Sequence, residues 1–100
     1  VYRFQSMDAL AAPTLTSPGH KDSVPSSINL TWQKVMNGAN YVVVVAQDAA
    51  FTLKAGKVST PALSAEFTLP AGNYYWRVRV IDASGGKSPW SEVRKLTVVP

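Results

Sequence analysis

Residues 73–92 restrict the possible folds more than any other part of this chain. An alternating run from Tyr74 to Ile81 leads into Gly85-Gly86 and then into the segment Ser88-Pro89-Trp90-Ser91. Alternation of side chains indicates a strand with one buried face, and two adjacent glycines are typical of a tight hairpin turn. The stretch therefore predicts part of an antiparallel β-structure, and its residues suggest no reaction chemistry.

Other short runs with strand character occur at similar spacing. Residues 41–46 are β-branched almost throughout and apolar on both faces, so the odd-numbered valines are expected to face the core and the even-numbered ones the opposite side. The predicted strands are 11–15, 27–32, 41–46, an irregular piece over 51–58, 64–69, 74–81 and 93–99, with Val93 out of phase in a bulge. Seven short strands without a helical period predict an all-β sandwich of two sheets.

Length and composition fit one globular domain. The chain has 100 residues, of which 46% are hydrophobic and 16% charged, and it has no cysteine, so a disulfide framework or a thiolate metal site is not possible. No apolar run approaches the ~20 residues of a membrane helix, and no signal peptide is recognisable. These features predict an excerpt of a longer protein.

The N-terminal residues differ in character from the rest of the chain. The run from Val1 to Met7 resembles a viral-protease cleavage site left by an expression vector, and its alternative is the last strand of a preceding domain. We therefore expect an arm over residues 1–9 and a β-sandwich domain over residues 10–100.

Three sets of residues resemble a fibronectin type III domain. They are Leu30-Thr31-Trp32, Tyr41 with the valines after it, and the run from Leu69 to Val80. The resemblance covers Pro13 to Val98 and implies a seven-stranded, immunoglobulin-like sandwich. It also implies that Trp32 lies in the core and that Tyr74 forms a tyrosine corner, hydrogen-bonding backward across the turn above Leu69.

Further residues resemble the variant of this domain that occurs in multidomain bacterial surface and secreted proteins. They are Asp48 to Phe51, Tyr75 to Val78 and Ser88 to Ser91. The last segment also resembles the W-S-x-W-S box of cytokine receptors, but Lys87 stands where the first tryptophan belongs. A full stack of arginines and tryptophans is therefore not expected, although Trp90 can lie over Arg77 or Arg79.

The sequence offers no grouping that suits catalysis, a metal or a cofactor. The single histidine, His20, lies in a predicted polar loop over residues 20–26. The carboxylates are spread singly: Asp8, Asp22, Asp48, Glu66, Asp82 and Glu92. The net charge of +4 comes from scattered basic residues, so nucleic-acid binding is not expected. We predict no enzymatic activity, no cofactor and no membrane span.

One candidate contact surface can be derived from strand alternation. Its apolar centre with aromatic and arginine neighbours has the composition of an interface; the alternative is that the arginine and tyrosine side chains simply cover the valines. The predicted surface consists of Val42, Val44, Tyr75, Arg77, Arg79 and Trp90.

The expected function is that of a non-catalytic module in a larger bacterial protein, secreted or at the cell surface. It would space neighbouring domains of the same polypeptide and contact a protein or glycan ligand. The alternative is an ancillary carbohydrate-binding module of a secreted glycoside hydrolase, which requires exposed aromatic side chains in a row. Tyr75 and Trp90 are the candidates for that row.

Overall fold

The computed structural model describes residues 10–100, so the expected arm over residues 1–9 and its vector-derived start lie outside the described part. Eight strands make up the described chain, and none of it is helical. They are β1 (Leu15–Ser17), β2 (Asp22–Val24), β3 (Ser27–Trp32), β4 (Asn40–Ala46), β5 (Lys54–Thr60), β6 (Ser64–Thr68), β7 (Gly72–Ile81) and β8 (Arg94–Val98).

The strands form two sheets that pack face to face. One sheet has the order β1-β3-β6 and the other the order β2-β8-β7-β4-β5. All neighbours are antiparallel except β2 and β8, which run parallel. The predicted all-β sandwich is confirmed.

The core lies between the sheets and follows the alternation of each strand. In β7 every second residue from Tyr74 to Val80 is buried, and in β3 Ile28 and Trp32 are buried. The rings of Trp32 and Tyr41 lie 5.8 Å apart, and the Val35 amide donates to the Tyr41 hydroxyl oxygen over 3.0 Å.

Strand β4 departs from simple alternation because both of its faces are covered. All six residues of 41–46 are buried. One face belongs to the core between the sheets, as predicted for the odd-numbered valines. The other face belongs to a second apolar cluster on the far side of the five-stranded sheet.

The tyrosine corner has the expected geometry. The Tyr74 hydroxyl donates to the carbonyl oxygen of Pro70 over 2.8 Å, and the ring is 3% exposed. Leu69 is buried in the same cluster. The corner therefore fixes the start of β7, the strand that carries Tyr75, Arg77 and Arg79 of the candidate surface.

Four local predictions were wrong. The first strand, expected over residues 11–15, is β1 at Leu15–Ser17, because pairing with β3 begins only at Leu15. Residues 22–24, expected in a polar loop, form β2, because the loop turns them alongside β8 and the Lys21 amide donates to the Lys95 carbonyl. Residues 54–60 form the edge strand β5 rather than an irregular piece, although its pairing with β4 shifts register between Val45 and Ala46. Val93 precedes β8 and makes no bulge in it, because pairing with β7 ends at Arg94.

No helix in residues 10–100 has the length and apolar character needed to cross a membrane.

Candidate functional site

The outer face, meaning the side of the five-stranded sheet turned away from the three-stranded sheet, contains the predicted contact residues. Strand register places them in rows across the sheet. Val44 lies between Lys57 of β5 and Arg77 of β7, and Val42 lies between Ser59 and Arg79. The alternation predicted from sequence is therefore right about which side chains share this face.

The valines of this face are nevertheless buried within the domain. Val42 is 7% exposed and Val44 4% exposed, and they form a cluster with Ala46 and Phe51. Three half-buried side chains, Tyr75, Ile81 and Trp90, pack against this cluster. The outer face thus has its own small core, most of whose surface is covered by neighbouring side chains of the domain.

Two arginines and two aromatic rings cover the valines, and we call this group the outer stack. The Arg77 guanidinium carbon lies 4.2 Å from the ring centre of Phe51 and 4.4 Å from that of Trp90. The Arg79 guanidinium carbon lies 4.3 Å from the Trp90 ring. Each such contact contributes roughly 0.5–2 kcal/mol depending on how far it is desolvated. Trp90 was predicted to lie over one arginine and contacts both.

Ser88 and Ser91 hold Trp90 in position. The Ser91 amide donates to the Val78 carbonyl and its hydroxyl oxygen accepts from the Val78 amide, over 2.8 and 2.9 Å. Ser88 makes the same pair of bonds to Val80, each over 2.9 Å. Both serines are buried. They replace β8 as the hydrogen-bonding neighbour of this part of β7, so Trp90 lies between two residues that are each bonded to that strand.

The turn before β5 holds Phe51 over Arg77. Phe51 has φ +59°, which is uncommon for a bulky side chain, and its amide donates to the Asp48 carbonyl over 3.1 Å. The Asp48 carboxylate accepts from the amides of Thr52 and Leu53 over 3.0 and 2.9 Å. The pKa of Asp48 lies below its ordinary value, chiefly because the Thr52 hydroxyl also donates to this carboxylate. These bonds stabilise the positive φ.

The positive charges of the two arginines in the outer stack lie close to each other without a negative partner in residues 10–100. Burial lowers the pKa of the Arg77 guanidinium below its usual value, and the charge of Arg79 lowers it further. The Nε atoms of both arginines are buried without a hydrogen-bond partner. The salt bridge described within residues 10–100 joins Arg94 Nε and Glu92 Oε2 at 2.7 Å. No carboxylate in this part of the chain therefore neutralises the charges of Arg77 and Arg79.

A groove of about 210 Å³ runs over this face, and we call it the basic groove. Its apolar lining consists of Val42, Val44, Ile81 and Trp90, and five cationic side chains complete it: Lys54, Lys57, Arg77, Arg79 and Lys87. Of these, the sequence prediction included only the arginines. Treating residues 54–60 as an alternating strand would have placed Lys57 on this face, whereas Lys87 has no local signal.

The histidine and carboxylate side chains of residues 10–100 do not form a metal site. In residues 10–100 no group of three or more His, Asp or Glu side chains is close enough to hold a metal ion. His20, expected to be a solvated loop residue, is exposed, and its Nδ1 accepts a hydrogen bond from the Lys95 amide over 3.0 Å. It therefore fastens the loop before β2 to β8.

Solved structures of other proteins superpose on this chain along most of its length. An Fn3-like protein from Clostridium thermocellum matches over 93% of this chain and 97% of its own, with 20% identity and a TM-score of 0.68. A β-1,2-glucanase from Parabacteroides distasonis matches over 93% of this chain and 13% of its own, with 19% identity and a TM-score of 0.72. An α-L-rhamnosidase from Streptomyces avermitilis matches over 90% of this chain and 10% of its own, with 25% identity and a TM-score of 0.63.

This chain thus spans a small part of the two glycosidases that it resembles. No protein-family model and no curated protein matches the sequence. The structural likeness shows that the domain has the fibronectin type III fold, as the sequence resemblance implied.

Proposed function

We propose that this domain is a non-catalytic module of a larger bacterial extracellular polypeptide, where it spaces neighbouring domains and contributes contacts to a protein or glycan. The observation that carries the proposal is the match to a short region of much longer chains. The domain superposes over 93% of its length on 13% of the glucanase. A unit of this kind occurs beside other domains, and its own fold supports many unrelated roles.

The outer stack and the apolar cluster beneath it fit a spacing role, because packing on the outer face of the five-stranded sheet resists bending of that sheet. A fibronectin-type sandwich needs one core between its sheets, whereas this domain buries a second cluster of Val42, Val44, Ala46 and Phe51. That cluster couples the turn before β5 to the hairpin after β7. A module stiffened in this way transmits orientation between the domains on either side of it.

A second candidate function is that of an ancillary carbohydrate-binding module of a glycoside hydrolase. The relevant observation is again the likeness to regions of a glucanase and a rhamnosidase. Against it, Tyr75 and Trp90 are half-buried and pack on the apolar cluster instead of forming an exposed row. Stacking of neutral sugar rings on this face is therefore the weaker candidate.

The spacing role is tested by placing the whole chain between two fluorescent proteins and following energy transfer in urea. We expect one cooperative change whose midpoint coincides with that of the tryptophan fluorescence of the chain alone. In parallel, the chain is incubated with β-1,2-glucan and an α-L-rhamnoside, and no hydrolysis is expected. Energy transfer that changes well before the domain unfolds contradicts the spacing role, and turnover of either substrate contradicts the non-catalytic assignment.

A further inference from the structure

The basic groove concentrates the positive charge of the chain. Five of its ten lysines and arginines line this one groove, and no carboxylate of residues 10–100 is among the lining residues. In the linear sequence these residues are spread from position 54 to position 87. The fold therefore creates a local positive potential that the net charge of +4 understates.

Three separate elements deliver these cations, and their positions are fixed by strand register. Lys57 of β5 and Arg77 of β7 flank Val44 in one row. Lys87 comes after the Gly-Gly turn and pairs with Ile81 at the end of β7. Because Arg77 and Arg79 are held against aromatic rings, their planar groups keep one orientation in the absence of any ligand.

Edge protection accounts for only part of this cluster. Lysines on an edge strand such as β5 prevent pairing with another sheet, and this role suits Lys54 and Lys57. Arg77 and Arg79 lie on β7, which has neighbours on both sides. They contact the Phe51 and Trp90 rings, but no carboxylate of residues 10–100 forms a salt bridge with them to offset their mutual repulsion.

An anion bound in the groove would offset this repulsion, and the dimensions of the groove limit the size of the anion. Ligand pockets usually measure about 300–1,000 Å³, so a groove of about 210 Å³ holds one compact anionic group or a single ring. Nucleic-acid sites instead need a basic stripe that follows the phosphate backbone. Cations that line one small groove suit a single sulfate or carboxylate group, such as one borne on a sugar ring.

We propose that the basic groove binds an acidic glycan, with a sulfate or carboxylate group among Lys54, Lys57, Lys87 and the arginines of the outer stack. This proposal rests on the proposed function, since it names the chemical class of a glycan partner at the same face. The spacing role does not depend on it. Failure to bind any polyanion overturns the acidic-glycan proposal, whereas the energy-transfer and hydrolysis experiments test the module itself.

The experiment is affinity electrophoresis of the whole chain in native gels that contain dextran sulfate, polygalacturonate or neutral dextran. We expect retardation by the two acidic polymers and none by dextran, which shares its backbone with dextran sulfate. Retardation should decline as salt is added. Equal retardation by dextran overturns the proposal, and so does tighter binding of a DNA duplex than of either acidic polysaccharide.

A matched pair of variants locates the site. The double variant Lys54→Gln/Lys57→Gln removes two charges from the groove, and Lys21→Gln/Lys34→Gln removes two exposed charges that do not line it. We expect the groove variant to bind dextran sulfate at least ~10-fold more weakly and the control less than ~3-fold more weakly. All four lysines are exposed, so both variants should fold. Equal losses in the two variants would mean that diffuse net charge is responsible, which overturns the proposed site.

Discussion

Replacing the two outer-face valines by threonine tests whether the apolar cluster beneath the outer stack is a second core. Val42 and Val44 are 7% and 4% exposed, so in the variant Val42→Thr/Val44→Thr two hydroxyl groups would be placed in an apolar cluster. Burying a hydroxyl without a partner costs about 1–3 kcal/mol in proteins. The pair should therefore lose about 2–6 kcal/mol of unfolding free energy, a large share of the ~5–15 kcal/mol of a typical domain.

The measurement is urea unfolding followed by tryptophan fluorescence, with thermal melting by circular dichroism as a second probe. For a domain of this size each kcal/mol lowers Tm by about 4–8 °C. The matched control is Val93→Thr/Val99→Thr, the same chemical change at positions that are 39% and 43% exposed. The control should stay within about 0.5 kcal/mol of the parent, as most surface substitutions do.

Repeating the valine replacements in a chain that carries Trp90→Ala tests whether Trp90 covers the valines. In Trp90→Ala the apolar cluster is partly opened, so the additional cost of the valine replacements should be smaller than in the parent chain. An outer-face double variant as stable as the exposed control would refute the second core. Full additivity with Trp90→Ala would show that Trp90 does not shield the valines.

Three further predictions concern the core, the corner and the turn. Trp32→Ala should leave the domain largely unfolded by circular dichroism, because truncating a buried tryptophan costs about 3–5 kcal/mol; a melting curve close to that of the parent would contradict the assigned core. Tyr74→Phe should lower the unfolding free energy in urea by about 0.5–1.5 kcal/mol through loss of the bond to Pro70, and an unchanged midpoint would argue against that bond. The folded-state pKa of Asp48 is below its ordinary value of 3.8, so its stabilising effect is present above that pH and is lost as the pH falls through the folded value. Between about pH 5 and pH 2, Tm should therefore fall less in Asp48→Asn than in the parent, and parallel curves would exclude the predicted role of the carboxylate.

Local sequence pattern was sufficient for the features that depend on strand period. Alternation alone placed Val42, Val44 and Arg77 on one face, because successive side chains of a strand point to opposite sides. It could not decide whether that face is exposed. Burial there depends on Phe51 and Trp90, which reach the face from turns, and a turn conformation with positive φ at phenylalanine has no simple sequence signature.

The basic groove was missed for a different reason. Lys57 and Lys87 are thirty positions apart, and they line one groove only because β5 and the end of β7 both lie beside β4. Register between distant strands is set by turns and by packing, which a local pattern does not specify. Strand β2 was missed likewise, since Asp22–Val24 is short and polar and pairs with β8 from far along the chain.

Burial of β4 on both faces has a consequence for how the domain opens. Residues 41–46 are covered on either side, and β4 is hydrogen-bonded to β5 and β7 along both edges. Its amide hydrogens can exchange with solvent only when the whole domain unfolds, whereas those of the short edge strands β1 and β2 exchange through local fluctuations. Exchange at Val43 therefore measures the global stability, and exchange at Ser23 measures the stability of the edge alone.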